Sequence, residues 1–224
     1  MNKTYLVIPA YNEEKKIGGV IDNLKKHKLK NLIVVDDGSK DNTGKIAKQH
    51  GARVYTHVIN RGLGGALSTG IEAAIIGGAE IIVTCDADGQ HDVADIKKAI
   101  EVLKKKKLDV VIGSRLINSK GMPISRKIIN FGANITTYLL FGIYVSDTQS
   151  GLRVFTREAA KKIKIKTNRM EVSSEIINEI GRNKLKFEEI PIKAIYTDYS
   201  LGKGQKGSNA FRIIYKLVMR KIMR

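Results

Sequence analysis

Across its 224 residues the chain has one cysteine and no tryptophan, and it contains no long hydrophobic run. A lone cysteine excludes a disulfide framework and a thiolate metal site. Cys85 sits inside an apolar stretch and reads as a small core residue. No segment reaches the roughly 18 uncharged apolar residues that cross a bilayer. Phe131 to Val145 comes nearest, but it is too short and is interrupted by Gly132, Asn134, Thr136, Thr137 and Gly142. The N-terminus, Met-Asn-Lys-Thr-Tyr-Leu-Val-Ile-Pro, has no secretory-signal layout and leads straight into a strand pattern. These absences predict a cytoplasmic protein.

Acidic residues are also scarce, with 22 Asp and Glu against 40 Lys and Arg, a formal net charge of +18. Such a chain seeks polyanions: nucleic acid, an anionic membrane surface or phosphorylated substrates. A nucleic-acid module is disfavoured, because the basic residues are not interleaved with aromatics and the motif loops described below are acidic. The run Lys104–Lys107 closes a helix pattern, where cations suit the dipole. Residues 199–224 hold seven basic residues and no acid.

A hydrophobic fraction of 42% and a charged fraction of 28% are ordinary for a folded domain with an ample core. Strand and helix patterns alternate: strands at Thr4–Pro9, Asn31–Val35, Ala52–His57, Ile81–Cys85 and Asp109–Gly113, with helices between them. The helices run from about Glu13 to His27, from an Asp41 cap to His50, over Gly65–Gly77, and from Asp92 to Lys105. This rhythm predicts βαβ crossovers and a mainly parallel sheet in one α/β domain. Beyond Ser114 the rhythm loosens to a helix over Ser125–Phe141, a strand over Leu152–Thr156, a helix over Val172–Arg182, a strand over Phe187–Ala194 and a C-terminal helix.

In a parallel sheet the carboxyl ends of the strands share one edge, where ligands bind. Polar segments follow the first five strands: Pro9-Ala-Tyr-Asn-Glu13, Asp36-Asp-Gly-Ser39, Asn60-Arg-Gly-Leu-Gly-Gly-Ala66, Asp86-Ala-Asp-Gly-Gln90 and Gly113-Ser-Arg115. All five should face one crevice. Asp86 and Asp88 end an apolar strand just before Gly89, so their oxygens can converge on one hard cation such as Mg²⁺ or Mn²⁺ beside a diphosphate. Acids also gather in turns for backbone reasons alone, so the pair by itself leaves both readings open. The glycine loop fits neither the dinucleotide nor the P-loop pattern. Of the four histidines, none has zinc spacing; His27 and His50 read as helix ends, and His91 either supports the acidic pair or is simply exposed. Tyr138, Phe141 and Tyr144 read as packing residues in preference to a lipid groove, though that helix could serve both ends.

Together Val7-Ile-Pro-Ala-Tyr-Asn-Glu13, Asp36-Asp-Gly-Ser-Lys-Asp-Asn-Thr43, Asn60-Arg-Gly-Leu-Gly-Gly-Ala66, Asp86-Ala-Asp-Gly-Gln-His91, Gly113-Ser-Arg115 and Asp147-Thr-Gln-Ser-Gly151 resemble family 2 glycosyltransferases in order and spacing, nearest to the dolichyl-phosphate mannose and glucose synthase branch. The resemblance implies a GT-A fold over residues 1–208, a Rossmann-like domain whose mainly parallel sheet is flanked by helices, and an inverting transfer from a nucleotide sugar. It implies nucleotide-sugar contacts at Pro9, Tyr11, Glu13, Val35, Asp37, Asp86, Ala87, Asp88 and Gln90, and from a basic loop carrying Lys203 and Lys206. Asp86, Asp88 and Gln90 match the metal-binding set for Mg²⁺ or Mn²⁺, and Arg115, Arg126 and Asn130 an acceptor-phosphate site. Asp88, Arg115 and Asp147 are the expected catalytic residues.

The acceptor decides the mechanism. A hydroxyl must lose its proton to a base as it attacks. A lipid phosphate is already an anion and needs positioning between cations, which suits this basic chain. Asp147 is either a base or the residue that orients Arg115, and the second role is preferred. The expected reaction moves glucose or N-acetylglucosamine from a UDP-sugar to dolichyl or polyprenyl phosphate, because Asp-Gly-Gln-His departs from the mannose synthases' wording. GDP-mannose, or a hydroxyl acceptor in surface polysaccharide synthesis, are the alternatives. Arg212, Lys216, Arg220 and Arg224 form a basic stripe on an expected helix over 209–224, beside an apolar face of Phe211, Ile214, Tyr215, Val218 and Ile222. That helix would either dock on the core or lie in an anionic membrane surface. The protein is accordingly expected to be peripheral on the cytoplasmic face of the membrane, with a separate membrane-anchoring partner protein as a further possibility.

Overall fold

A computed structural model describes residues 3–118 and 124–193. The expected helix over 209–224 and the loop with Lys203 and Lys206 lie outside the described residues. Seven strands form one sheet: β1 (Thr4–Ala10), β2 (Asn31–Asp36), β3 (Arg53–Thr56), β4 (Ile81–Thr84), β5 (Val110–Ser114), β6 (Arg153–Thr156) and β7 (Phe187–Pro191). Their spatial order is β3-β2-β1-β4-β6-β5-β7. β1 runs parallel to β2 and β4, β2 to β3, and β5 to β7. β6 alone is antiparallel, inserted between β4 and β5.

The helices are α1 (Ile17–Lys26), α2 (Thr43–Gln49), α3 (Leu63–Ile76), α4 (Val93–Lys105), α5 (Ile124–Phe141), α6 (Arg157–Lys162) and α7 (Val172–Arg182). Side chains that alternate along each strand divide the core between the two faces of the sheet. Leu6, Ile8, Val34, Val83 and Val154 pack with Ile17, Ile21, Ile96 and Leu103 of α1 and α4. Val7, Ile33, Val35, Ile82 and Phe155 pack with Leu67, Ala74, Ile176 and Ile180 of α3 and α7. Near-continuous Val and Ile runs in the strands follow from burial on both sides.

Several boundaries differ from the sequence expectation. Residues 14–16 form a turn, so α1 begins at Ile17 rather than Glu13. Asp41 is not the N-cap of α2; Asn42 holds that position, while Asp41 accepts the backbone N–H of Thr43 at 3.0 Å and that of Glu14 at 3.2 Å. Asp92 does cap α4, accepting from the Ala94 N–H at 2.8 Å. The short helix α6 was not legible in the pattern. α5 is polar inward and apolar outward: Asn134 and Thr137 are buried, whereas Phe131, Ile135, Tyr138 and Leu139 are exposed. Tyr138 and Tyr144, for which packing was the preferred reading over a lipid groove, lie on the surface and meet edge to face at 6.3 Å. Among the described residues no helix is long and apolar enough to cross a membrane.

Candidate active site

The parallel register sets the site. Pro9 and Val35 are direct partners across β1 and β2, as are Ala10 and Asp36. Val7 pairs with Thr84, which brings the loop after β4 beside the end of β1. Pro9, Tyr11, Glu13, Val35, Asp37, Asp86, Ala87, Asp88 and Gln90 therefore gather at one edge of the sheet. Tyr11 is exposed at its rim, and Val35 and Ala87 are buried beneath it.

Asp86 and Asp88 sit in different fields. Burial would raise the carboxyl of Asp86, but His91, Arg115 and Arg153 hold it below the usual carboxylate range. His91 Nε2 lies 3.1 Å from Asp86 Oδ2, so His91 supports the acidic pair rather than standing in solvent. Burial and then the Asp86 charge push Asp88 above that range, with Glu13 adding to the effect. Asp88 accepts the Gln90 backbone N–H at 3.0 Å. Any Cβ at position 151 would run into both oxygens of Asp86, so Gly151 leaves space there that no other residue would. No group of three or more His, Cys, Asp and Glu side chains able to hold a metal occurs among the described residues. Two mutually repelling carboxylates with room beside them fit a hard cation that takes its other oxygens from phosphate and water.

Asp37 has a role that sequence reasoning missed. Its Oδ1 accepts the Arg61 N–H at 2.9 Å and lies 2.7 Å from His57 Nδ1, while Oδ2 accepts the Gly62 N–H at 2.7 Å. His57 Nε2 in turn lies 2.9 Å from Thr69 Oγ1. The glycine loop is thus braced from within. Gly62 adopts φ 86°, in the left-handed region that favours glycine. The N–H groups of Gly64 and Gly65 both donate to Asn168 O, at 2.8 and 3.2 Å, so these amides hold the 167–168 segment instead of cradling a phosphate.

On the far side of β4, Arg115 and Asp147 form a two-pronged pair. Arg115 Nε and Nη2 donate to the two oxygens of Asp147 at 2.7 and 2.8 Å, and the Arg115 backbone N–H donates to Oδ2 at 3.0 Å. Asp147 is wholly buried. Its loop is clamped by residues with no obvious sequence signature. Glu189 on β7 accepts the Ser146 N–H at 2.9 Å, and Asn134 on α5 accepts the Thr148 N–H at 3.0 Å and donates to Ser146 O. Asn130, one turn before Asn134, is half-buried. Arg126 lies in the first turn of α5, and its side chain is outside the description. Arg153, also missed, is a buried arginine behind this loop. Its only sequence signal is a charge within an apolar run.

This arrangement places a carboxylate pair suited to a cation beside a fixed guanidinium, at the strand-end crevice of an α/β sheet. The sequence profile of Glycosyl transferase family 2 matches residues 5–164. A UDP-N-acetylglucosamine–dolichyl-phosphate N-acetylglucosaminyltransferase of Methanococcus voltae is 42% identical, covering 97% of this chain and 96% of that protein. A human dolichyl-phosphate β-glucosyltransferase is 33% identical over 70% of this chain and 56% of its own length. Among solved structures, the glucosyl-3-phosphoglycerate synthase of Mycobacterium tuberculosis in complex with Mn²⁺, UDP and phosphoglyceric acid superposes with a TM-score of 0.74. It is 21% identical and covers 98% of this chain and 78% of that one, a likeness of fold. The seven-stranded domain is a GT-A fold, and the chain belongs to glycosyl transferase family 2, as a glycosyltransferase.

Proposed function

We propose that the enzyme moves N-acetylglucosamine from UDP-N-acetylglucosamine to the phosphate of a dolichyl or polyprenyl lipid, with inversion and with Mg²⁺ or Mn²⁺ bound by Asp86 and Asp88. The observation that carries this reading is the two-pronged lock of Asp147 on Arg115. With both oxygens engaged, Asp147 is not disposed to take a proton from a hydroxyl acceptor. A planar guanidinium held in one orientation suits an acceptor phosphate, which attacks as an anion. The donor assignment draws on the Methanococcus voltae relative, aligned over nearly the whole of both chains.

The residues divide the work. Asp86 and Asp88 would hold the cation, with Gln90 beside them. The cation would neutralise the departing diphosphate as a Lewis acid. Tyr11 offers a ring at the rim for the base. Asp37 uses three protein donors of the roughly four that a carboxylate can accept, which leaves room for a base or ribose hydrogen bond. Asp147 orients Arg115, and Arg115 with Arg126 and Asn130 receives the lipid phosphate. Lys203 and Lys206 are proposed to approach the donor. The nucleotide choice is tested by calorimetry with Mn²⁺ present: UDP is expected to bind more tightly than GDP, and the reverse order would favour the mannose donor.

The membrane surface belongs to the same proposal. α5 carries Phe131, Ile135, Tyr138 and Leu139 on its outer face, and no charged residue occurs between Lys127 and Asp147. Asn134, on the inner face, holds the Asp147 loop, so the apolar face backs directly onto the acceptor side. Exposed aromatic and aliphatic groups beside a phosphate site suit the headgroup boundary of a bilayer. Leu139 is 72% exposed and Tyr138 49%, so Tyr138→Ser with Leu139→Asp spares the core. Each such side chain contributes about 1.5–3 kcal/mol when buried. The double variant is expected to lose most of its sedimentation with anionic vesicles and about tenfold of its activity on long-chain lipid phosphate, while activity on a short soluble analogue holds. Unchanged sedimentation would contradict this surface.

A further inference from the structure

Among the described strands β6 is the one that runs against its neighbours, and it carries a buried charge. Arg153 pairs with Thr84 on β4, just before Asp86, and with Ile112 on β5, just before Arg115. Its side chain is 1% exposed. Nη2 donates to Thr148 O at 2.9 Å, which ties β6 to the Asp147 loop. Nε is buried without a hydrogen-bond partner among the described residues, as are Gln149 Oε1 and Ser150 Oγ just before it. Among the same residues no carboxylate lies within 4.0 Å of the guanidinium. Burial pulls its pKa down to about 10, against the opposing attraction of Asp86 and Asp147, while Arg115 adds to the fall. A buried guanidinium with an unused donor is an expensive way to fill a core.

We infer that Arg153 is a positioning residue whose buried charge is shared between Asp86 on the donor side and Asp147 on the acceptor side. This rests on the proposed function above. On the donor side, its field opposes a cation at Asp86 and tempers binding in the absence of substrate. On the acceptor side, it draws on Asp147, so that Asp147 does not fully cancel Arg115. When a cation engages Asp86, the two guanidiniums facing Asp147 would leave a net positive charge for a phosphate anion. The hydrogen bond to Thr148 O keeps the Asp147 loop in register with β6 while this balance operates.

The test uses the full chain with Arg153→Met and Arg153→Lys. Mn²⁺ is titrated without substrate by electron paramagnetic resonance, and KM and kcat are measured with the lipid phosphate. Removing a charge near the cation site is expected to tighten Mn²⁺ binding about fivefold in Arg153→Met, a sign that simple loss of packing would not produce. The KM for lipid phosphate should rise about tenfold in the same variant, more than kcat falls. Arg153→Lys keeps the charge but loses the fork, so its Mn²⁺ affinity should stay within about twofold of wild type while KM remains raised. Unchanged or weaker Mn²⁺ binding in Arg153→Met would overturn the inference. If Arg153→Met does not fold, Arg153→Lys decides: a raised KM with unchanged Mn²⁺ affinity supports the role, and two unchanged values overturn it. If the wild type binds Mn²⁺ but transfers to no lipid phosphate, the acceptor reading fails, and the Mn²⁺ titrations alone decide the role of Arg153.

Discussion

Asp88→Asn is expected to abolish transfer, by on the order of a thousandfold or more, while leaving the protein folded with a melting temperature no lower than that of wild type. The loss follows from removing one of the two carboxylates proposed to hold a cation, which would stabilise several kcal/mol of developing charge. The retained stability follows from the sign of the Asp88 shift. Burial and the Asp86 charge raise its folded pKa above the ordinary carboxylate range, so the native state binds the proton more tightly than the unfolded chain. Stability therefore falls as pH rises through that window, and the penalty is present once the folded-state carboxyl has ionised. A neutral, isosteric Asn removes it. By the same shift, cation binding in wild type should weaken on acidification at a higher pH than for an ordinary aspartate. Calorimetric Mn²⁺ titrations from pH 7 downward, beside thermal melts of both proteins, check both statements. Full turnover of wild type in excess chelator would falsify the metal assignment.

Arg115→Ala and Asp147→Asn should separate the two kinds of acceptor. Loss of a charge-assisted contact to phosphate costs about 1.5–3 kcal/mol, or roughly 10- to 150-fold in kcat/KM. In Arg115→Ala that loss should appear chiefly as a raised KM for the lipid phosphate, with UDP binding nearly unchanged. It also strands the buried Asp147 without its two-pronged partner, so a drop in stability should accompany it. In Asp147→Asn the amide can accept from only one of the two guanidinium nitrogens, and its own N–H₂ faces the other. Arg115 loses its fixed plane but keeps its charge, so measurable turnover should survive. If Asp147→Asn is instead as inactive as Asp88→Asn, and free sugars serve as acceptors, then Asp147 is a base and the acceptor is a hydroxyl.

The alternation of strands and helices through Ser114 was legible because βαβ units carry a strong periodic signal, and parallel strands bring every following loop to one edge. The placement of β6 was not. A four-residue run, Arg153–Thr156, shows that a strand exists but neither its direction nor its neighbours, since those depend on pairing partners distant in sequence. α6, with six residues, is too short for a helical period to emerge. Within the site, Asp86, Asp88 and Arg115 stood out because charges at strand ends are visible in a linear sequence. Asp37 was visible as an acid at a strand end, but its internal work on Arg61, Gly62 and His57 was not, because those partners arrive from 20 to 25 positions away. The clamps on the Asp147 loop, Asn134 and Glu189, come from α5 and β7 for the same reason. The outward apolar face of α5 inverts the usual expectation that aromatic residues at helical spacing point inward. Here the inward positions are taken by polar residues, of which Asn134 holds the Asp147 loop.

The most direct test is a transfer assay with radiolabelled UDP-N-acetylglucosamine and Mn²⁺, run in parallel on dolichyl phosphate and on dolichol of the same chain length. Labelled lipid is expected from the phosphate and none from the alcohol, with the product lost in chelator. Equal labelling of the alcohol, or no labelled lipid from the phosphate while free sugars accept the label, would contradict it.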